Sequence, residues 1–249
     1  SVNGVRQKPD EPTVKFNFAS PGLHEVVKRY AIEFFEKNPA AECISMSPSD
    51  GGGLDDSPEN ARMGSISDRV VGLANEVAEA VNAHFHRPLY VHLYIYDAYS
   101  APPTIKVHPM LIVEQAQGFN TTDYTFDELW ELWRKQGIRT GGVYEYLDVF
   151  SWSLGFPALA RASNFEYLGE SLARFKAQQR LIYCAESSRS FGANGRGYYW
   201  LSRLLWRVDE RQQTGAILED FTQRAFGPAA APMRRFYELL ERHDLPEFC

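Results

Sequence analysis

The sequence predicts an α/β fold built on a parallel sheet, and three features of its 249 residues carry that expectation. Short apolar runs rich in β-branched and aromatic residues alternate with stretches whose apolar positions recur at helical spacing. A loop of three glycines, Ser47-Pro48-Ser49-Asp50-Gly51-Gly52-Gly53, joins one such run to one such helix. Acidic residues gather where the runs end, and in parallel-sheet folds that edge is where ligands bind.

Taken in order, residues 14–18 read as a short strand. Ser20-Pro21 then opens a helix with Leu23, Val27, Tyr30 and Phe34 on one face, stopped at Asn38-Pro39. Residues 42–46 form the next strand. After the cap candidate Ser67, Val70, Leu73, Ala74, Val77, Ala78 and Val81 mark a helix over residues 67–85. The plainest strand is residues 89–96, which ends in the aromatic, proline-rich loop Asp97-Ala98-Tyr99-Ser100-Ala101-Pro102-Pro103. Residues 110–115 are a strand, and Thr125-Phe126-Asp127-Glu128 is a capping box that opens a helix reaching Gly137. Residues 143–150 form a strand, a second box at Ser163-Asn164-Phe165-Glu166 starts the helix of Leu168, Leu172 and Phe175, and residues 180–185 make the last strand. From Gly197 onward the pattern is helical.

Six strands, each followed by a helix or long loop, predict an incomplete (β/α)8 TIM-like barrel of about six βα units with C-terminal helices. A whole barrel takes roughly 250 residues, so the opening strands are expected upstream of Ser1. A doubly wound open sheet is the rival architecture. No repeat or linker divides the chain, which reads as one domain over residues 1–249, with the polar stretch 51–64 a mobile loop inside it.

The composition is that of an ordinary globular protein, 44% apolar and 23% charged. A net charge of -6 with dispersed Lys and Arg argues against a nucleic-acid surface, and no apolar run approaches the length of a membrane span. Cys43, Cys184 and Cys249 show no metal spacing; Cys43 and Cys184 sit in apolar runs as small hydrophobes. His84 and His86 mark a helix end, and His92 reads as a core residue. The glycines at 51–53 lack a following Gly-Lys-Ser/Thr, and Gly192 to Gly197 lacks the dinucleotide order, so no nucleotide cofactor is expected. Ser187, Ser188 and Ser190 have no nucleophile elbow around them. Neither a metal nor any other cofactor is called for.

Asp50, Asp97, Glu114, Asp148 and Glu186 fall at or near successive strand ends, with Glu145 slightly earlier. A barrel turns such a series into a ring of carboxylates, the equipment of general acid and base catalysis on glycosidic bonds. Asp50 and Glu186 are the first candidates, Asp50 as acid and Glu186 as base, with Asp97 and Glu145 in reserve. Arg189 suits a uronic carboxylate, Trp152 a sugar face, and His108 a further substrate contact. Tyr99 is placed either against a sugar or under Pro102-Pro103.

Four stretches give the chain a family likeness. They are the Gly-rich heptapeptide at 47–53, Asn75-Glu76-Val77-Ala78-Glu79-Ala80-Val81, Ala98-Tyr99-Ser100-Ala101-Pro102-Pro103, and Tyr199-Trp200-Leu201-Ser202-Arg203-Leu204-Leu205-Trp206 with Phe226-Gly227-Pro228-Ala229-Ala230. In these the chain resembles the domain of unknown function numbered 4838, which is distantly similar to family-20 hexosaminidases and family-67 α-glucuronidases. The resemblance implies a carbohydrate-active barrel, a carbohydrate or glycan partner, and an extracellular or cell-envelope location. It departs from the family after the glycines, where Leu54-Asp55-Asp56-Ser57 stands in place of cysteines. Two other classes compete with a hydrolase: a noncatalytic carbohydrate-binding module on the same fold, and a flavin or nicotinamide oxidoreductase on an open sheet.

Overall fold

The structure, a computed structural model, describes Val2, Val5, Lys8 and residues 15–241. It divides into two compact units, Ser1–Val143 and Tyr144–Cys249, with the boundary inside a strand.

The first unit begins with helix α1 (Pro21–Lys37), strand β1 (Cys43–Ser45), the short helix α2 (Pro58–Ala61) and helix α3 (Ile66–Phe85). Strands β2 (Tyr90–Asp97) and β3 (Leu111–Asn120) follow, then helix α4 (Phe126–Lys135) and the start of β4 (Thr140–Asp148). β1 pairs with β2 and β2 with β3, both parallel. Because side chains alternate across a strand, one face carries Ile44, Val91, Leu93, Ile95, Leu111 and Val113, all buried in one core with Val70, Val71, Ala74, Val77 and Val81 of α3. The other face carries Ser45, His92, Tyr94, Tyr96 and Glu114.

The second unit takes over β4 at Tyr144 and continues through α5 (Phe150–Ser153), α6 (Phe165–Ala177) and β5 (Ile182–Ser187). Helices α7 (Phe191–Trp206), α8 (Thr214–Phe226) and α9 (Ala230–Glu241) complete it. Leu147, Tyr183 and Ala185 pack with Leu168, Leu172, Trp200, Leu201 and Leu204, which defines the helix-covered face of β4 and β5. α7 lies so close to the turn at Arg161–Ser163 that a Cβ on Gly197 would sit 2.1 Å from the Ala162 carbonyl oxygen.

The strand order β1-β2-β3-β4-β5 follows the chain, as in a singly wound barrel rather than a doubly wound sheet, whose order reverses. The described residues therefore form an α/β fold with five strands where six were expected. Val14 lies outside the described residues, and residues 15–18 are irregular, ending in a turn. The alternation at 14–18 misleads because Lys15 turns inward, 9% exposed, and its backbone N–H goes to the Gly53 carbonyl. The expected mobile loop at 51–64 is also corrected. It contains α2, and Asn60, with no exposed surface, donates to Asn17, Asp55 and Ser57.

The capping box at Thr125 and Glu128 forms as read, with both reciprocal bonds present. The other two caps shift. α3 is capped by Ser65 with Asp68 rather than by Ser67, and α6 by Asn164, whose side chain accepts from the Tyr167 N–H, rather than by Ser163. Cys43 is half-buried, and burial, with Glu114 adding to it, pushes its thiol up to about 11. Cys184 is exposed, not buried, because it lies on the face of β5 opposite the helix-covered one; Cys249 lies outside the described residues.

α1 and α3 are joined by His24. Its Nδ1 is 2.8 Å from Glu76 Oε2 and its Nε2 2.7 Å from the Phe18 carbonyl oxygen. Both partners are acceptors, so both ring nitrogens must carry protons. Burial works against that charge, but the Phe18 carbonyl and Glu76 outweigh it, against a smaller opposing effect of Lys28, and raise the imidazole's pKa. The Lys28–Glu25 pair lies on the same helix. A base with a raised native pKa contributes its full stability below its unfolded pKa, about 6.5, and loses it as pH rises through the native value. His24→Gln is therefore expected to cost about 1 kcal/mol at pH 6 and little at pH 9, read by urea unfolding. A cost independent of pH contradicts the imidazolium assignment.

Candidate functional site

The strand-end acids are presented by different local devices in the two units. In the first unit, β1 runs into the glycine loop, where Gly51 and Gly53 adopt φ of 79° and 77°, values open to glycine and strained for other residues. The carbonyl oxygens of Asp50, Gly51 and Gly52 converge on Lys15 Nζ at 2.8, 3.0 and 3.1 Å. A phosphate loop turns its N–H groups inward; this one turns its carbonyls inward, onto a cation. The Asp50 side chain is exposed.

Asp97 ends β2 just after a register shift, with φ of 46°. Aspartate is among the few residues that tolerate this left-handed conformation. Its carbonyl accepts from the Ser100 N–H at 2.9 Å, Ser100 Oγ at 2.7 Å and Thr121 Oγ1 at 2.8 Å, which fixes where the residue points. Burial lowers the pKa of Lys15, and the charges of Asp50 and Asp97 both work against that, so the two carboxylates share one lysine's field.

Tyr99 is 5% exposed within the core, and burial, with smaller effects of Tyr96, Asp50 and Asp97, raises its phenol pKa. Its ring is enclosed by protein, which corrects the placement against a sugar. Aromatic surface at this strand end comes instead from Phe119, 51% exposed, with Tyr96 at 5.5 Å between ring centroids. His108 sits before the first residue of β3, so it lies at the opposite end of the parallel pair from Asp97. There its N–H donates to Asn75 Oδ1 at 2.8 Å and its Nδ1 accepts from the Met110 N–H at 3.1 Å, a local structural role. Burial lowers its pKa, with Glu79 opposing. His92, read as a core residue, is half-buried on the polar face of the sheet instead, 3.6 Å from Glu114 Oε2 and 3.4 Å from Ser45 Oγ.

In the second unit the alternation along β4 separates two acids named from sequence. Glu145 shares the helix-covered face with Leu147 and has no exposed surface. Arg161 Nη1 donates to Glu145 Oε1 at 2.5 Å, the Tyr146 N–H donates to the same oxygen at 2.8 Å, and the Tyr167 hydroxyl reaches Oε2 at 3.4 Å. So placed, it is a buried ion-pair partner and not a group open to a ligand, which corrects its standing as a reserve catalyst.

Asp148 points to the other face at the carboxyl end of β4 and is 1% exposed. It accepts from the hydroxyls of Ser153 and Ser188, from Asn194 Nδ2 at 2.8 Å and from the Tyr198 hydroxyl at 3.3 Å. Burial, with Asp148 adding to it, raises the Tyr198 pKa to about 12. Glu186 on β5 faces away from Tyr183 and Ala185, hence on the same side as Asp148, and is exposed. Arg189 is exposed, and Trp152 is half-buried with Tyr146 at 5.2 Å between centroids. Phe150, Phe156 and Phe191 are each more than half exposed, and Phe191 meets Tyr198 at 5.2 Å between ring centroids.

Lys15 and the donors around Asp148 were not singled out from sequence. Asp148 was legible as a strand-end acid; its four donors come from three separate segments and leave no local pattern. Among the described residues no group of three or more His, Cys, Asp or Glu is placed to hold a metal ion, and no helix is long and apolar enough to cross a membrane.

The sequence profile of the family described as Domain of unknown function (DUF4838) matches residues 2–238, nearly the whole chain. The chain belongs to that family. No curated protein and no solved structure matches it. Membership of DUF4838 fixes a lineage and leaves the chemistry to be argued from the residues.

Proposed function

We propose that this member of DUF4838 is a carbohydrate-active protein, a glycoside hydrolase on a barrel-type frame, with acid and base chemistry supplied by strand-end carboxylates. The observation that carries the reading is the placement of two accessible carboxylates at or after strand ends within one unit, exposed Asp50 after β1 and half-buried Asp97 closing β2; exposed Glu186, near the end of β5, repeats the placement within the other unit. Carboxylates so presented are the groups that protonate a glycosidic oxygen and activate water or a nucleophile. The aromatic surface of Trp152, Phe150, Phe156 and Phe191 suits the apolar faces of sugar rings, and exposed Arg189 suits a uronic carboxylate. A strand order that follows the chain agrees with this reading.

A noncatalytic carbohydrate-binding module is the second reading. It is favoured by Asp148, a strand-end carboxylate already engaged by four side-chain donors. A screen of hexosamine- and uronate-containing polysaccharides separates the two. Release of new reducing ends by the wild type, abolished in Asp50→Asn, is the expected result. Retention on a glycan array without any cleavage favours the binding module, and neither retention nor cleavage removes carbohydrate from the account.

A further inference from the structure

We propose that Lys15 is the positioning residue of the Asp50 turn, its ammonium occupying a cradle of carbonyls selective for a small N–H cation. The inference deepens the proposed function, since it gives Asp50 a fixed place from which to act. Three consecutive carbonyl oxygens, of Asp50, Gly51 and Gly52, lie 2.8 to 3.1 Å from Nζ, all within hydrogen-bond length. Three successive carbonyls point at one atom only if the backbone curls back on itself, and the positive φ of Gly51 and Gly53 permits that curl. The backbone N–H of Lys15 adds a fourth tie, to the Gly53 carbonyl at 3.1 Å.

The side chain is 9% exposed, so its charge has given up most of its water and the carbonyls stand in for it. Desolvation lowers the Lys15 pKa, while the charges of Asp50 and Asp97 oppose that shift and favour the cation. Without the ammonium, three carbonyl dipoles would face one another across an empty space, and the turn would open. Asp50, first residue of that turn, would lose its fixed position although its own carboxylate is not held by the clamp.

The test uses the full chain and reads the turn directly. In Lys15→Ala, amide hydrogen exchange at position 15, whose N–H is bonded to the Gly53 carbonyl, is expected to quicken by about tenfold or more, with the rest of the first unit little changed. Ammonium chloride should restore protection by refilling the cradle, whereas tetramethylammonium chloride, a larger cation without N–H groups, should not. Unchanged exchange in the variant overturns the proposal, as does restoration by both salts equally or by neither. If Lys15→Ala fails to fold, Lys15→Met, which keeps the aliphatic stem and removes both the N–H donors and the charge, is read for the same quickened exchange at position 15, and unchanged exchange there overturns the proposal. Once a cleaved glycan is in hand, ammonium should raise kcat of the Lys15 variant with KM little altered. A wild type that cleaves no glycan defeats the hydrolase reading alone, because the exchange measurement judges Lys15 independently of activity.

Discussion

Arg161→Ala is expected to destabilise the protein by about 3–5 kcal/mol at neutral pH. Glu145 has no exposed surface, and its shortest contact is the guanidinium of Arg161 at 2.5 Å, whose plane also covers the Tyr167 ring at 5.3 Å. Removing the cation leaves a buried carboxylate with one backbone N–H and one distant hydroxyl. The cost is that of the stranded charge rather than of the pair itself. For that reason the double variant Glu145→Leu with Arg161→Met should recover most of the loss, since an apolar pair of similar volume avoids both desolvations. Denaturant unfolding of the two variants against wild type decides it. A loss below about 1 kcal/mol in Arg161→Ala would mean that the pair behaves as an exposed one, contrary to its burial.

How far the sequence could be read follows from the range over which each feature is determined. The capping box at Thr125 and Glu128 was legible because both bonds close within four residues. The box proposed at Ser163 and Glu166 obeys the same spacing, yet the chain uses Asn164, because residues 161–163 are already committed to a 3-10 turn. Strand β2 was plain from its apolar and aromatic run. Residues 14–18 alternate as a strand does, and only the tertiary contact between Lys15 and the glycine loop shows why they are not one.

The candidate site divides in the same way. That Asp50, Asp97, Asp148 and Glu186 fall at or after strand ends is a matter of local pattern, and their positions agree with it, whereas Glu114 lies in mid-strand because β3 runs on to Asn120. Which side a group faces depends on what packs against the sheet, and there the sequence is ambiguous. Glu145 and Asp148 differ by three positions, an odd number, so they point to opposite faces of β4; only the helices reveal which face is covered. Tyr99 carries the aromatic character of a sugar platform and is closed off by the core, while His108 lies at the wrong end of its strand.

The second large effect concerns turnover itself. Asp50→Asn and Glu186→Gln each remove an ionisable carboxyl from an exposed strand-end position with little change of volume, so neither is expected to disturb folding. A positioned acid or base contributes about a hundred- to ten-thousandfold in rate, and a loss of that order is expected from each. The most direct measurement is the pH dependence of kcat/KM for glycan hydrolysis by the wild type and by Glu186→Gln. The hydrolase account predicts a bell-shaped wild-type profile whose acidic limb disappears in the variant together with most of the rate, as befits a base; an unaltered profile and rate in Glu186→Gln would contradict it.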